Sequence, residues 1–198
     1  MDLLDTLLYT LARMGLMLML VLFGAFAGEV LLPSVATFLP YSALSFKEFI
    51  TDPTVCSAAG MIIICLIFIW VFYDDGKRHT AYENWSVVNI LTVLLVMLII
   101  YFVPAIFRDS FHSEGKAEVF YMVLYYPAGW ISRKLGAQFL SAVTISSVMM
   151  LATAFIAYFT AYKIYTKKHP SLSEEARAKR KLAELTAELE EDEEDEDL

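Results

Sequence analysis

Glu29 is the side chain whose type and position most invite chemistry in this sequence. It follows Gly28 and precedes Pro33, toward the far end of a long apolar run. A carboxylate in hydrocarbon is costly, and such groups face a partner or a wet path. Two readings stand open at this point. Glu29 is a cation or proton site turned into a helical bundle, or the helix ends near Gly28 and the carboxylate lies among lipid headgroups. A second group, Arg108, Asp109, His112 and Glu114, has the residue types for acid–base work or metal binding. His112 and Glu114 are two apart, which puts them on different faces of a helix. The other two histidines, His79 and His169, fall on the opposite side of the membrane in the topology derived below.

Neither H-E-x-x-H nor G-x-S-x-G occurs, so the common zinc-protease and serine-hydrolase arrangements are missing. Cys56 and Cys65 stand nine positions apart, about 13 Å on one helix. That exceeds the roughly 7 Å Cα separation a disulfide tolerates, and both read as small buried apolar side chains. Asn89 reads as an interhelical hydrogen-bonding group and Lys163 as a cation that snorkels to the surface. No residue set specifies a catalytic, cofactor or metal site. The expectation is a protein that is not an enzyme and carries no cofactor.

The elements that must position these residues are four apolar stretches, residues 7–32, 54–73, 85–107 and 139–165. Each is close to or above the roughly 20 residues an α-helix needs to cross about 30 Å of hydrocarbon. Water cannot satisfy free backbone groups in lipid, so the stretches must be helical. The fold class is therefore all-α, a polytopic bundle of four spans over residues 1–165, with a charged tail over 166–198. The run Leu16 to Phe23, followed by Ala25-Phe26-Ala27, resembles a signal-peptide core and cleavage site. Cleavage would leave three spans. The long leading segment with Asp2 and Asp5 argues against it.

Leu4, Leu7, Leu8 and Leu11 fall at helical spacing among polar residues, a pattern suited to a helix lying in the headgroup region or entering at a slant. Gly24 and Gly28 form a GxxxG, and Ala142 with Ser146, and Thr153 with Ala157 and Ala161, repeat small residues at the same spacing. Such faces let backbones approach closely. The fourth helix is expected to make the most contact with the others. Residues 33–53 read as an outer segment packed on the bundle. Asp74-Asp75-Gly76 reads as a tight turn between spans two and three. Pro104 is expected to bend or end the third helix. Residues 108–138 include a short helix over 117–126 that is either interfacial or re-entrant.

Lys77 and Arg78, Lys163, Lys167 and Lys168 place one set of span ends in the cytoplasm, which gives an N-in, C-in orientation. The net charge of −8 belongs mostly to the tail. Residues 166–198 hold 12 acidic and 6 basic side chains. Ser171 and Glu174 fit a capping box for a short cytoplasmic helix, and the eight consecutive acids at 190–197 repel one another and stay disordered. No basic surface points to nucleic acid. The partners expected are the lipid bilayer and other membrane chains, or self-association, in a plasma membrane. The function expected is a non-enzymatic membrane subunit or scaffold. The alternatives are a small oligomeric transporter or channel with Glu29 on its path, and a membrane enzyme with a site on the outer face.

Overall fold

The computed structural model describes residues 3–82, 86–107 and 116–170, together with Ala178 and Leu182. The group Arg108, Asp109, His112 and Glu114, the capping box at Ser171 and Glu174, and the acidic run 190–197 lie outside the described residues. So do most of the basic run before it and Trp85, the expected start of the third span. Every described element is helical, and four helices are long and apolar enough to cross a membrane.

The first helix is longer than the sequence suggests. α1 (Leu3–Phe26) runs without interruption through a π-helical turn (Ala27–Leu31) into α2 (Leu32–Thr37). Pro33 was expected to mark the end of the span. It lacks the N–H that an α-helix would direct to the Glu29 carbonyl, and its ring crowds that carbonyl. The widened turn just before it, in which the Leu32 N–H reaches back to the Ala27 carbonyl, relieves the crowding and lets the helix continue. A short 3₁₀ turn (Tyr41–Ala43) and α3 (Leu44–Thr51) then return the chain to the bundle, with Ile50 buried.

α4 (Pro53–Ala81) begins on a strong signal. The Asp52 carboxylate accepts from the Thr54 and Val55 N–H groups at 2.7 and 3.1 Å, with Pro53 at the first helical position. The helix has 29 residues, about 43 Å at 1.5 Å per residue. It passes straight through Asp74-Asp75-Gly76, so the expected tight turn there is wrong. Arg78, four residues past Asp74, pairs with it at 2.8 Å on the exposed face, a helical spacing.

α5 (Val87–Ile106) is capped by Ser86, whose hydroxyl accepts from the Asn89 N–H at 3.3 Å. It contains Pro104 and ends two residues later. Tyr121 donates to the Pro104 carbonyl at 3.0 Å and Tyr125 to the Tyr101 carbonyl at 2.7 Å. These two tyrosines tie the following segment to the end of α5. That segment comprises α6 (Lys116–Leu124), a 3₁₀ turn (Tyr126–Ala128) and α7 (Gly129–Leu135), which stops at Gly136 in the left-handed conformation, φ 63°. α8 (Phe139–Lys168) is the last long helix.

α4, not α8, is the central helix: it packs on α1, α3, α7 and α8. Its glycines explain how. A Cβ on Gly60 would stand 2.5 Å from the Gly24 carbonyl oxygen, and one on Gly28 would stand 2.5 Å from the Cys56 carbonyl oxygen. α1 and α4 therefore cross in backbone contact, with Gly24 and Gly28 facing Cys56 and Gly60. Further along α4, a Cβ on Gly76 would stand 2.5 Å from the Tyr158 carbonyl oxygen and 3.0 Å from Ala161 Cβ. Ala142, Ser146, Ala157 and Ala161 are buried, whereas Thr153 is half-buried and its hydroxyl bonds back to the Met149 carbonyl at 2.7 Å. These small-residue faces are used inside the chain.

Candidate functional site

Two polar clusters sit at opposite ends of the bundle. The first surrounds Asp75. On α1, Leu7, Leu8 and Leu11 are exposed, while Thr10 is buried and Tyr9 and Arg13 turn inward. The leucines of this amphipathic start thus face outward, and its polar groups turn toward the bundle. Arg13 Nη2 donates to Asp75 Oδ1, and the Tyr9 hydroxyl donates to Oδ2 at 2.7 Å. The side chains are 22% and 7% exposed for Arg13 and Asp75. The guanidinium also lies over the Tyr9 ring, 5.1 Å from its centroid. One helical turn beyond Asp75, His79 Nδ1 is 2.8 Å from the Tyr158 hydroxyl of α8, and the Tyr9 and His79 rings meet edge-on at 4.9 Å. This network links α1, α4 and α8. Both carboxylate oxygens of Asp75 are occupied by neighbours within the chain, so the cluster fixes the register of three helices.

The second cluster surrounds Glu29 and is open. Glu29 is exposed and lies on the π-helical turn. It lines a half-open cleft of about 680 Å³ between α1, the segment α6–α7 and the start of α8. Leu22, Phe26 and Val30 form one wall and Val119, Met122 and Val123 the facing one; all six are exposed, so the cleft opens on the flank of the bundle. Tyr125 and Phe139 meet edge-on, 5.3 Å between centroids, and also line it. The polar groups lining it are few. Arg133 lines the cleft from α7, held by a 2.6 Å bond from Nη2 to the Pro53 carbonyl. The Tyr126 hydroxyl is buried beside the Glu29 carboxylate, and burial, followed by its interaction with that carboxylate, pushes its pKa up. Glu29 and Arg133 form no ion pair with each other or with any described residue.

The wall carrying Arg133 is anchored by Ser57 of α4. Its hydroxyl donates to the Tyr126 carbonyl at 2.6 Å and accepts from the Trp130 N–H at 2.8 Å. The Tyr126 ring also rests where a side chain at Gly28 would be, 2.7 Å from that position. Gly28 therefore serves both the α1–α4 crossing and the cleft. Beside Arg133, the Asp52 carboxyl is held below the usual aspartate range, chiefly by the two backbone N–H groups it caps and in small part by the Arg133 guanidinium.

Of the residues singled out in the sequence, Glu29 lines this cleft and Gly28 packs behind its Tyr126 wall, while Gly24, Ala142, Ser146, Thr153, Ala157 and Ala161 lie along the helix crossings. Lys163 is exposed, with Nζ 4.7 Å from the Phe159 ring centroid. Cys56 is buried, its thiol 3.2 Å from the Ile50 carbonyl, and Cys65 is half-buried; both are free. Among the described residues no group of three His, Cys, Asp or Glu side chains is placed to hold a metal ion. Sequence reasoning missed Asp75, Tyr9, His79 and Arg133. The available signal was the pair of opposite charges, Arg13 and Asp75, near span ends assigned to the same side. Comparison with protein-family models, with curated proteins and with solved structures gives no match for this chain.

Proposed function

We propose that this chain is a non-enzymatic membrane subunit that works by binding at the Glu29 cleft rather than by conducting a solute. The observation that carries this is the form of the cleft. It is half-open on the flank of the bundle and lined mainly by apolar side chains, with Glu29 exposed on it rather than enclosed in a polar channel. The buried polar group at the opposite end of the bundle, Asp75, is occupied by Arg13 and Tyr9. Ligand sites take this form of a mostly apolar concavity with a few placed polar groups.

In this reading the chain lies in a plasma membrane with both ends, the acidic tail included, on the cytoplasmic side. The support is the excess of Lys and Arg at the ends of the second and fourth spans. Other membrane chains, or a second copy, are the protein partners. They meet its lipid-facing surface, because the small-residue faces are taken up within the chain.

The test is flux. Purified protein in liposomes should pass neither protons nor small cations above the rate of empty liposomes, and Glu29→Gln should leave that background unchanged. Flux that is present in the parent and lost in Glu29→Gln would replace this reading with a transport path through Glu29.

A further inference from the structure

We infer that the Glu29 cleft holds one zwitterionic phospholipid of the bilayer, an acyl chain along its apolar wall, the ammonium at Glu29 and the phosphate at Arg133. The inference rests on the binding reading above and adds the identity of what is bound.

The first argument is location. The cleft opens between exposed side chains of a membrane-crossing helix, Leu22, Phe26 and Val30, and those of α6. Within a bilayer that flank faces lipid, so an acyl chain is the apolar group already at the opening. The second argument is charge. Glu29 and Arg133 line the same cleft, bear opposite charges, and do not neutralise one another. A ligand carrying both signs on one short headgroup satisfies the two together, whereas phosphatidylglycerol offers the phosphate to Arg133 but no cation to Glu29. Asp52 does not disturb this balance at the Glu29 side, because its carboxylate is turned to the Thr54 and Val55 N–H groups. Arg133 keeps guanidinium donors free of the one that bonds to Pro53, and a guanidinium is well matched to phosphate oxygens. The third argument is the Tyr126 hydroxyl. It lies buried beside the Glu29 carboxylate, and a headgroup ammonium drawn to that carboxylate comes within reach of the hydroxyl oxygen as well.

The experiment uses the full chain in nanodiscs of equal parts phosphatidylethanolamine, phosphatidylcholine and phosphatidylglycerol. Native mass spectrometry then reads the lipids that stay bound after the disc is removed. The parent should retain one zwitterionic lipid, ethanolamine or choline, about tenfold over phosphatidylglycerol, which corresponds to about 1.4 kcal/mol. Glu29→Lys makes both ends of the site cationic and should reverse the preference toward phosphatidylglycerol. Val123→Trp fills the cleft from an exposed wall position and should abolish retention of all three. Met122→Trp does the same if the first variant loses its unfolding transition.

If Val123→Trp abolishes retention but Glu29→Lys changes nothing, the cleft binds acyl chains without reading the headgroup, and the zwitterion inference is wrong while the binding reading survives. If parent and filled variant retain the same lipids, the bound molecules are only the surrounding annulus and both fail. Retention of nothing by the parent overturns both as well.

Discussion

Replacing Arg13 by Met should destabilise the protein far more than any change of similar size on the surface. The substitution preserves most of the stem volume and removes the cation, leaving Asp75 with a side chain only 7% exposed and one hydrogen bond, from Tyr9. Breaking a buried pair from one side costs about 3–5 kcal/mol, because the remaining charge is uncompensated. For a chain of this length that lowers Tm by on the order of 10 °C. The geometry also makes the two halves of the pair unequal. Arg13 is three times as exposed as Asp75, and its long side chain can snorkel to water once its partner is gone. Asp75→Asn keeps an acceptor for Tyr9 and should cost roughly 1–2 kcal/mol. The triple replacement Tyr9→Phe, Arg13→Met and Asp75→Leu removes every member together. It should come within about 1 kcal/mol of the parent, since a well-packed apolar substitute for a buried pair is commonly neutral or better. The triple replacement also removes the Arg13 Nε donor, which is buried without a partner. The assay is thermal unfolding in mild detergent, followed by tryptophan fluorescence. If Arg13→Met and Asp75→Asn cost the same, or if Arg13→Met costs under 1 kcal/mol, the pair is not a buried register device and the reasoning fails.

Gly60→Ala and Gly76→Ala should each destabilise by about 1–3 kcal/mol, because the added Cβ would meet a backbone carbonyl at 2.5 Å, and Gly15→Ala, which meets nothing within 4 Å, should instead stabilise by up to about 1 kcal/mol in the same unfolding assay. The depressed Asp52 carboxyl contributes stability that is present above the ordinary aspartate pKa of about 3.9 and is lost as pH falls through its lower folded value. The Tm advantage of the parent over Asp52→Asn should therefore shrink only below about pH 4, and an advantage constant with pH would mean the charge of Asp52 is irrelevant to the cap.

The four crossing helices were legible because apolar length is a direct physical signal of burial in hydrocarbon. Their ends were not. Pro33 normally stops a helix, and only a π-turn, which has no composition of its own, carries the chain past it. Asp74-Asp75-Gly76 has the residues of a turn. Here Gly76 is needed because α8 passes within reach of its missing side chain, and Asp75 because Arg13 and Tyr9 surround it. Both reasons depend on a segment remote in sequence. The spacing of Gly24 and Gly28 disclosed a packing face, and the matching Cys56 and Gly60 complete it, but spacing alone does not say whether such a face meets the same chain or another. At the candidate site Glu29 was visible as a charge in an apolar run. Arg133 and Tyr126 were not, since only the fold of α6–α7 brings that segment back against the π-turn.

The ion pair of Arg13 with Asp75 also has a meaning in time. The two residues are 62 positions apart, and a ribosome adding roughly 5–20 residues per second makes Asp75 about 3–12 s after Arg13. Through that interval α1 carries an uncompensated cation near its start, and the stable place for it is the membrane surface, where the guanidinium stays hydrated. Arrival of α4 removes that restraint, because the carboxylate that neutralises the cation comes with the helix whose Gly60 fits against Gly24. Neutralisation and close packing thus fall on the same pair of helices, and both become possible only once the second of them has been made.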